Sequence, residues 1–109
     1  MKRLLDEDLP QFAFDPAGLI DDQFGRKADR YLEIGFGGGE HLAGLAAAMP
    51  ECDFIGAEPF INGVASLLRH IQEQQLGNIR IWPDDVRLIM PSLGVASFAG
   101  AFIMFPDPW

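Results

Sequence analysis

Five carboxylates and one cluster of glycines are the residues here whose types and spacing could do chemistry. Glu33 stands two residues before Gly35, and Gly37, Gly38 and Gly39 follow closely. Glu58 comes 23 residues after Gly35, Asp84 and Asp85 follow Pro83, and Asp107 lies between Pro106 and Pro108. Glycines allow positive φ and leave no Cβ in the way, so a ligand can lie against the backbone. A helix that starts after such a turn presents unpaired N–H groups to an anionic group. Each acid can accept hydrogen bonds from hydroxyls or pair with an ammonium. Together they suit a nucleotide-like cofactor held at the strand tips of an α/β fold.

Elements must place those groups. Tyr31 to Glu40 reads as a short buried strand, a glycine-rich turn and the start of a helix. The first strand is expected over Arg30 to Ile34 and the next helix over Glu40 to Met49, ending before Pro50. Leu42, Leu45, Ala46 and Met49 share its buried face at helical spacing. Glu40 in the first turn favours the helix dipole, and His41 beside it reads as an exposed residue with no role. The second strand is Asp53 to Ala57 and puts Glu58 at its tip. There an acid can accept from ribose hydroxyls, although capping before Pro59 would also explain it. A helix over Phe60 to Gln75 follows, with Ile61, Val64, Leu67, Leu68 and Ile71 buried and Gly77 as its stop. Asn78 to Trp82 is the third strand. Of Asp84 and Asp85, one could bond an adenine amine and the other cap a short helix over 86–90. Trp82 could flank the adenine or belong to the core. The fourth strand is expected over Gly100 to Phe105, delivering the rigid turn around Asp107 to the tip of a central strand, where catalytic groups collect.

Before the first strand, Lys2 to Leu9 can form a helix that stops at Pro10. Residues 16 to 24 can form another, capped by Asp15 and stopped by Gly25. The expected organisation is a helical covering segment over 1–29 and a cofactor-binding unit over 30–109.

The dinucleotide pattern G-x-G-x-x-G is incomplete, because its third glycine would fall at Glu40. Glu33-Ile34-Gly35-Phe36-Gly37-Gly38-Gly39 instead resembles motif I of S-adenosylmethionine-dependent methyltransferases. A bare glycine turn in another βαβ protein would read the same.

Composition narrows the classes. The 109 residues are 49% hydrophobic with mean hydropathy +0.10, enough for one core and one domain. Sixteen acidic against eight basic residues give a net charge of −8, which argues against this stretch alone gripping phosphates. Cys52 is the single cysteine, so no internal disulfide forms. Neither a signal peptide nor an apolar run of about 18 residues is visible. A cytoplasmic protein is expected. No Cys/His cluster has metal-ligand spacing.

Leu32-Glu33-Ile34-Gly35-Phe36-Gly37, Phe54-Ile55-Gly56-Ala57-Glu58, Gly63-Val64-Ala65, Asn78-Ile79-Arg80 and Phe105-Pro106-Asp107-Pro108-Trp109 together resemble the bacterial tRNA (guanine-N7-)-methyltransferase family. The resemblance covers about residues 31 to 109. It implies an α/β, Rossmann-like class I S-adenosylmethionine-dependent methyltransferase fold, truncated after the fourth strand. It implies S-adenosyl-L-methionine as cofactor and N7 of guanine 46 in the tRNA variable loop as methyl acceptor. Glu33, Gly35, Gly37, Gly39, Glu58, Asp84 or Asp85, and Asp107 are then cofactor contacts, and Asp107 is also the catalytic aspartate. Counting from Asn78 favours Asp85 over Asp84. The family continues past this motif with basic and tRNA-holding segments, so the chain is expected to be the cofactor half of a longer parent that binds tRNA. Guanine N7 has an in-plane lone pair and needs no general base, so catalysis would rest on positioning and electrostatics. A small-molecule methyltransferase and a non-catalytic cofactor-binding or interaction fragment remain alternatives. The apolar fourth strand at a sheet edge invites pairing with a second copy.

Overall fold

The computed structural model describes residues 3–93 and 98–103. A π-helical turn, Leu4–Asp8, runs into α1 (Leu9–Phe12). Then come α2 (Ile20–Phe24), β1 (Arg30–Ile34), α3 (Glu40–Ala48), β2 (Asp53–Ala57), α4 (Ile61–Gln74), β3 (Ile79–Trp82), a 3₁₀ turn (Val86–Leu88), α5 (Met90–Leu93) and β4 (Gly100–Ile103). The four strands form one parallel sheet in the order β3-β2-β1-β4. Parallel strands need crossover connections, and α3 and α4 supply the first two. The chain builds outward from β1 to β3, then returns to the other side of β1 as β4. The strand order therefore reverses between β1 and β4. In open α/β sheets, ligands bind outside the carboxyl ends of the strands at such a point.

Side-chain alternation splits the core into two layers. Phe54, Ile79 and Ile81 face α3 and α4, where they meet Leu42, Ala46, Val64, Leu67, Leu68 and Ile71. Leu32 and Ile55 face the other way, against Phe14, Ile89 and Leu93. Every residue of β2 is buried, as an inner parallel strand requires. At roughly 1.5–3 kcal/mol per fully buried Leu, Ile or Phe, this burial opposes the chain entropy lost on folding.

Several local expectations need correction. Pro10 does not stop the first helix but sits in the first turn of α1, where its missing N–H costs nothing. Asp15 caps no helix. Its Oδ1 accepts from the Ala17 N–H at 2.9 Å, closing a side-chain turn, and α2 begins only at Ile20. Gly25 does end α2, at φ +70°. The left-handed residue after α4 is Gln75, φ +55°, so Gly77 is not its stop. Ile61 is exposed, and Ala65 takes its expected place in the buried stripe. The first segment does more than cover the sheet. Ala13 forms a parallel bridge with Ile81, and the Phe14 N–H donates to the Ile81 carbonyl at 2.7 Å along the outer edge of β3.

Candidate functional site

The site is assembled at the carboxyl ends of β1 and β2. Gly35 N–H still donates to the Ala57 carbonyl at 2.8 Å, holding the two strand tips level. The chain then leaves the sheet through Gly35 (φ +74°), Gly37 (φ +60°) and Gly39 (φ +84°). All three values favour glycine. A tight turn closes as the Gly39 N–H donates to the Phe36 carbonyl at 3.0 Å, and Gly39 then caps α3.

Two glycines here are required by space as well as by angle. A Cβ at Gly39 would lie 2.7 Å from Leu67 Cβ, and a Cβ at Gly63 would lie 2.2 Å from the Gly37 carbonyl oxygen. The first turns of α4 therefore press directly against the glycine loop. On the loop's other side, a Cβ at Gly37 would meet nothing within 4 Å among the described residues. The loop is backed by protein on one side and open at Gly37.

Glu58 fastens this loop. Its carboxylate is buried, with Oε1 accepting from the Gly37 N–H at 2.8 Å and Oε2 from the Phe60 N–H at 3.1 Å. Its own N–H donates to the Trp82 carbonyl at 3.0 Å, so the tip of β3 sets its height. Each carboxylate oxygen keeps a further lone pair for a hydroxyl donor.

Glu33 is the unusual group. It points to the α3 side of β1 and is 1% exposed. Oε1 bonds His41 Nδ1 in the first turn of α3. Oε2 is buried and has no hydrogen-bond partner among the described residues. Burial pushes the Glu33 carboxyl above its ordinary value, and the His41 contact opposes that shift without cancelling it. A buried carboxylate oxygen without a donor is costly unless something supplies one. The ring of His41 stands edge-on to Phe102 of β4, centroids 5.6 Å apart. Phe102 lies against Tyr31, which stacks on Phe54.

Beyond β3, Asp85 takes the capping job. Its Oδ1 accepts from the Arg87 N–H at 2.9 Å, and its carboxylate pairs with the Arg87 guanidinium. Arg87 holds the Asp85 carboxyl down at about 2. Asp84 Oδ1 accepts from the Asp85 N–H at 2.7 Å. Trp82 Nε1 donates to the Asp85 carbonyl at 2.8 Å, and its ring packs on the second core layer.

The structure thus joins Glu33, Gly35, Gly37, Gly39 and Glu58 into one site. It sets Asp84 and Asp85 in the turn after the tip of β3. Asp107, with Pro106, Pro108 and Trp109, lies outside the described residues. His41 is exposed in the first turn of α3, as expected, and its Nδ1 also meets Glu33, a contact the sequence did not announce. It arises because α3 crosses the face that Tyr31 and Glu33 share, and the glycine turn brings its first residues back over β1. Among the described residues, no cluster of three or more His, Cys, Asp or Glu could hold a metal ion. None of the described helices is long and apolar enough to cross a membrane.

Comparison with known proteins agrees with this geometry. Residues 27–109 match a family model described as "Putative methyltransferase". A protein of Paramagnetospirillum magneticum named tRNA (guanine-N(7)-)-methyltransferase is 56% identical over 80 residues, covering 72% of this chain and 34% of that protein. Proteins of the same name from Caulobacter sp. (strain K31) and Rhodospirillum rubrum are 50% and 46% identical, covering 97% and 99% of this chain. The chain spans only 47% and 46% of their lengths. A solved structure described as "Structure of an antibiotic related Methyltransferase" superposes with a TM-score of 0.62 over 84% of this chain and 50% of its own, at 17% identity. That likeness shows the fold, which is Rossmann-like. With a methyltransferase family model matched across the whole sheet and the glycine loop, the chain belongs to that methyltransferase family.

Proposed function

We propose that this chain holds S-adenosyl-L-methionine for methyl transfer to N7 of guanine 46 in the tRNA variable loop, in the cytoplasm. The observation that carries the reading is the buried, unpartnered Glu33 Oε2 beside a glycine loop left open at Gly37. Such an acid suits an ammonium, and such a loop suits a ligand lying against the backbone. When bound, the cofactor supplies an electrophilic sulfonium methyl.

The chain's own residues divide the remaining work. Glu33 would hold the methionine ammonium. Gly35, Gly37 and Gly39 leave room against the backbone. Glu58 would accept from the ribose hydroxyls while keeping the loop at the tip of β2. The turn carrying Asp84 and Asp85 would meet the adenine end, with Asp85 the better candidate from the family spacing. Asp107 is assigned the guanine edge on chemistry alone. A carboxylate there accepts hydrogen bonds from the base and stabilises the positive charge that develops when N7 is alkylated. No proton has to be removed from N7, so no general base is needed.

The relatives' name supplies the tRNA substrate, and a net charge of −8 fits a chain whose partner half would supply the phosphate contacts. Among the described residues β4 has β1 as its single strand neighbour. Its outer edge suits pairing with a second copy. Strictly monomeric sedimentation at high concentration would remove that part of the proposal.

Titration with S-adenosylhomocysteine by calorimetry tests the cofactor reading. Saturable binding that Glu58→Ala weakens about tenfold or more, as loss of a charge-assisted hydrogen bond entails, supports it. Absence of binding at millimolar ligand would overturn it for this chain.

A further inference from the structure

We propose that His41 is a positioning residue that couples cofactor uptake to proton release: the imidazolium balances buried Glu33 while the site is empty, and the arriving ammonium displaces its proton. This deepens the cofactor reading above and rests on it.

Two independent observations support the coupling. His41 Nδ1 holds Glu33 Oε1, so the imidazole is the carboxylate's partner before any ligand arrives. Oε2 remains idle and buried on the same carboxylate. A second cation at Oε2 would share one buried negative charge with the first. Histidine is the side chain that changes charge between about pH 5 and 8, so it is the partner able to yield. The half-exposed imidazole, 44% accessible, can give up its proton directly to water. It would leave from Nε2, with Nδ1–H still donating to Glu33. Charge balances: carboxylate and imidazolium become carboxylate, neutral imidazole and ligand ammonium, with one proton passed to solvent.

Among the described residues, the neighbours offer no alternative partner, and His41 is the titratable side chain in contact with Glu33. β4 presents Phe102, and its residues Gly100–Ile103 carry no charge. β2 places Gly56 beside Glu33, and α4 presents its apolar stripe. Glu58 is engaged with Gly37 and Phe60. Glu40, next to His41, is exposed to solvent. Arg30, at the far end of β1, is engaged with Asp21 and Asp53. Burial also raises the Glu33 carboxyl, so losing its donor would favour the neutral acid, which cannot hold an ammonium.

The test is calorimetric titration of the full chain with S-adenosylhomocysteine from pH 5.5 to 7.5, where the ligand ammonium keeps its proton, in buffers of different ionisation enthalpy. The parent chain is expected to release protons on binding and its Kd to rise severalfold as the pH falls from 7.5 to 5.5. His41→Asn keeps an N–H donor near the position of Nδ1 but cannot titrate. It should bind within about threefold of the parent at pH 7.5, with proton release and pH dependence both lost. His41→Leu removes the donor and should weaken binding at every pH. A parent chain that binds with equal affinity across this range, or a His41→Asn variant that keeps the parent's proton release, overturns the coupling and leaves the cofactor reading standing. Absence of binding by every variant at every pH overturns both.

Discussion

Two buried carboxylates sit at opposite ends of the same pair of strands, and they are treated differently. Asp53 opens β2 and is 0% exposed, while Glu33 closes β1 and is 1% exposed. Asp53 sits between two guanidinium groups, although its Oδ2, like Glu33 Oε2, finds no hydrogen-bond donor among the described residues. Arg26 donates to its Oδ1 through Nε at 3.0 Å and Nη2 at 2.7 Å, and Arg30 Nε faces its Oδ2 at 3.4 Å. Arg26 also reaches the carbonyls of Pro50 and Cys52. Nearby, Asn78 donates to the carbonyls of Ala46, Met49 and Cys52. Glu33 has one imidazole and an idle oxygen. Equal burial therefore carries opposite meanings. At the amino ends of the strands, charge is spent tying the segment before β1 and the loop before β2 to the sheet. At the carboxyl ends Glu33 meets one imidazole and no guanidinium among the described residues. A cavity of about 370 Å³ opens at the Asp53 end, beside Arg26, Ala47 and Asn78, yet the groups lining it already bond one another. Size does not separate the two ends; two guanidinium groups face Asp53, whereas one imidazole faces Glu33.

The largest effect should come from the spent end. Asp53→Ala removes the carboxylate that Arg26 grips and one of the two that face Arg30, leaving Arg30 with Asp21. Breaking a buried pair costs about 3–5 kcal/mol, and the partial solvation of Arg26 puts this one near 3. Urea denaturation should show that loss, while S-adenosylhomocysteine affinity in the folded fraction stays within about threefold. A matching collapse of affinity would mean that the two ends are not separate.

Gly63→Ala damages the other end. Its Cβ would press on the Gly37 carbonyl, so the glycine loop must lift or α4 must shift. Overpacking of this kind costs about 1–3 kcal/mol. Ligand binding should fall by a larger factor than stability does, the reverse of Asp53→Ala. Unchanged affinity would show that the loop's seat on α4 does not shape the site.

Glu33→Gln should sharpen the contrast, because it should stabilise the chain. Removing a poorly solvated buried charge is worth about 1 kcal/mol at pH 7, with ligand binding lost in exchange. The pH dependence has a definite sign. The folded-state carboxyl is raised above its ordinary 4.5, so Glu33's contribution to stability is fully present below that value and is lost as pH rises through the raised one. The advantage of Glu33→Gln in thermal melts should therefore be largest near neutrality and fade toward pH 4. An advantage that grows as the pH falls would mean that the carboxyl is lowered in the fold.

These contrasts mark what the sequence could reveal. β1 over Arg30–Ile34 and β2 over Asp53–Ala57 follow directly from short apolar runs bounded by charge and glycine. The glycine loop and the strand-tip positions of Glu33 and Glu58 were legible because a strand–turn–helix unit fixes where each strand ends. What escaped depends on tertiary contact. His41 looked like any first-turn residue until α3 was laid across Glu33. Asp15-Pro16 had the composition of a helix start, but the Asp15 side chain bonds two residues on and makes a turn instead. Gln75 took the left-handed position that Gly77 seemed made for, and nothing in the described contacts explains the choice. The Asp53 clamp was invisible because Arg26 is 27 residues away in sequence.

The smallest effect concerns a third kind of acid, exposed and held by its own neighbour. Asp85 at the turn beyond β3 is lowered to about 2 by the Arg87 guanidinium and N–H, so whatever it contributes is present above its ordinary 3.8 and lost as pH falls through about 2. Screening leaves an exposed pair of this kind little weight in stability. Asp85→Asn keeps the capping oxygen and should leave the thermal midpoint at pH 7 unchanged within error. Its effect should appear in ligand affinity, as a weakening of several-fold that Asp84→Asn does not share. Asp84 spends an oxygen on the neighbouring N–H, whereas opening the Asp85–Arg87 pair frees a carboxylate at little cost to the fold. If Asp84→Asn is the weaker binder, the adenine contact moves to Asp84 and Asp85 is only a cap. If neither changes affinity, the β3 turn lies outside the cofactor's reach, and the charge of this site is confined to Glu33 and Glu58.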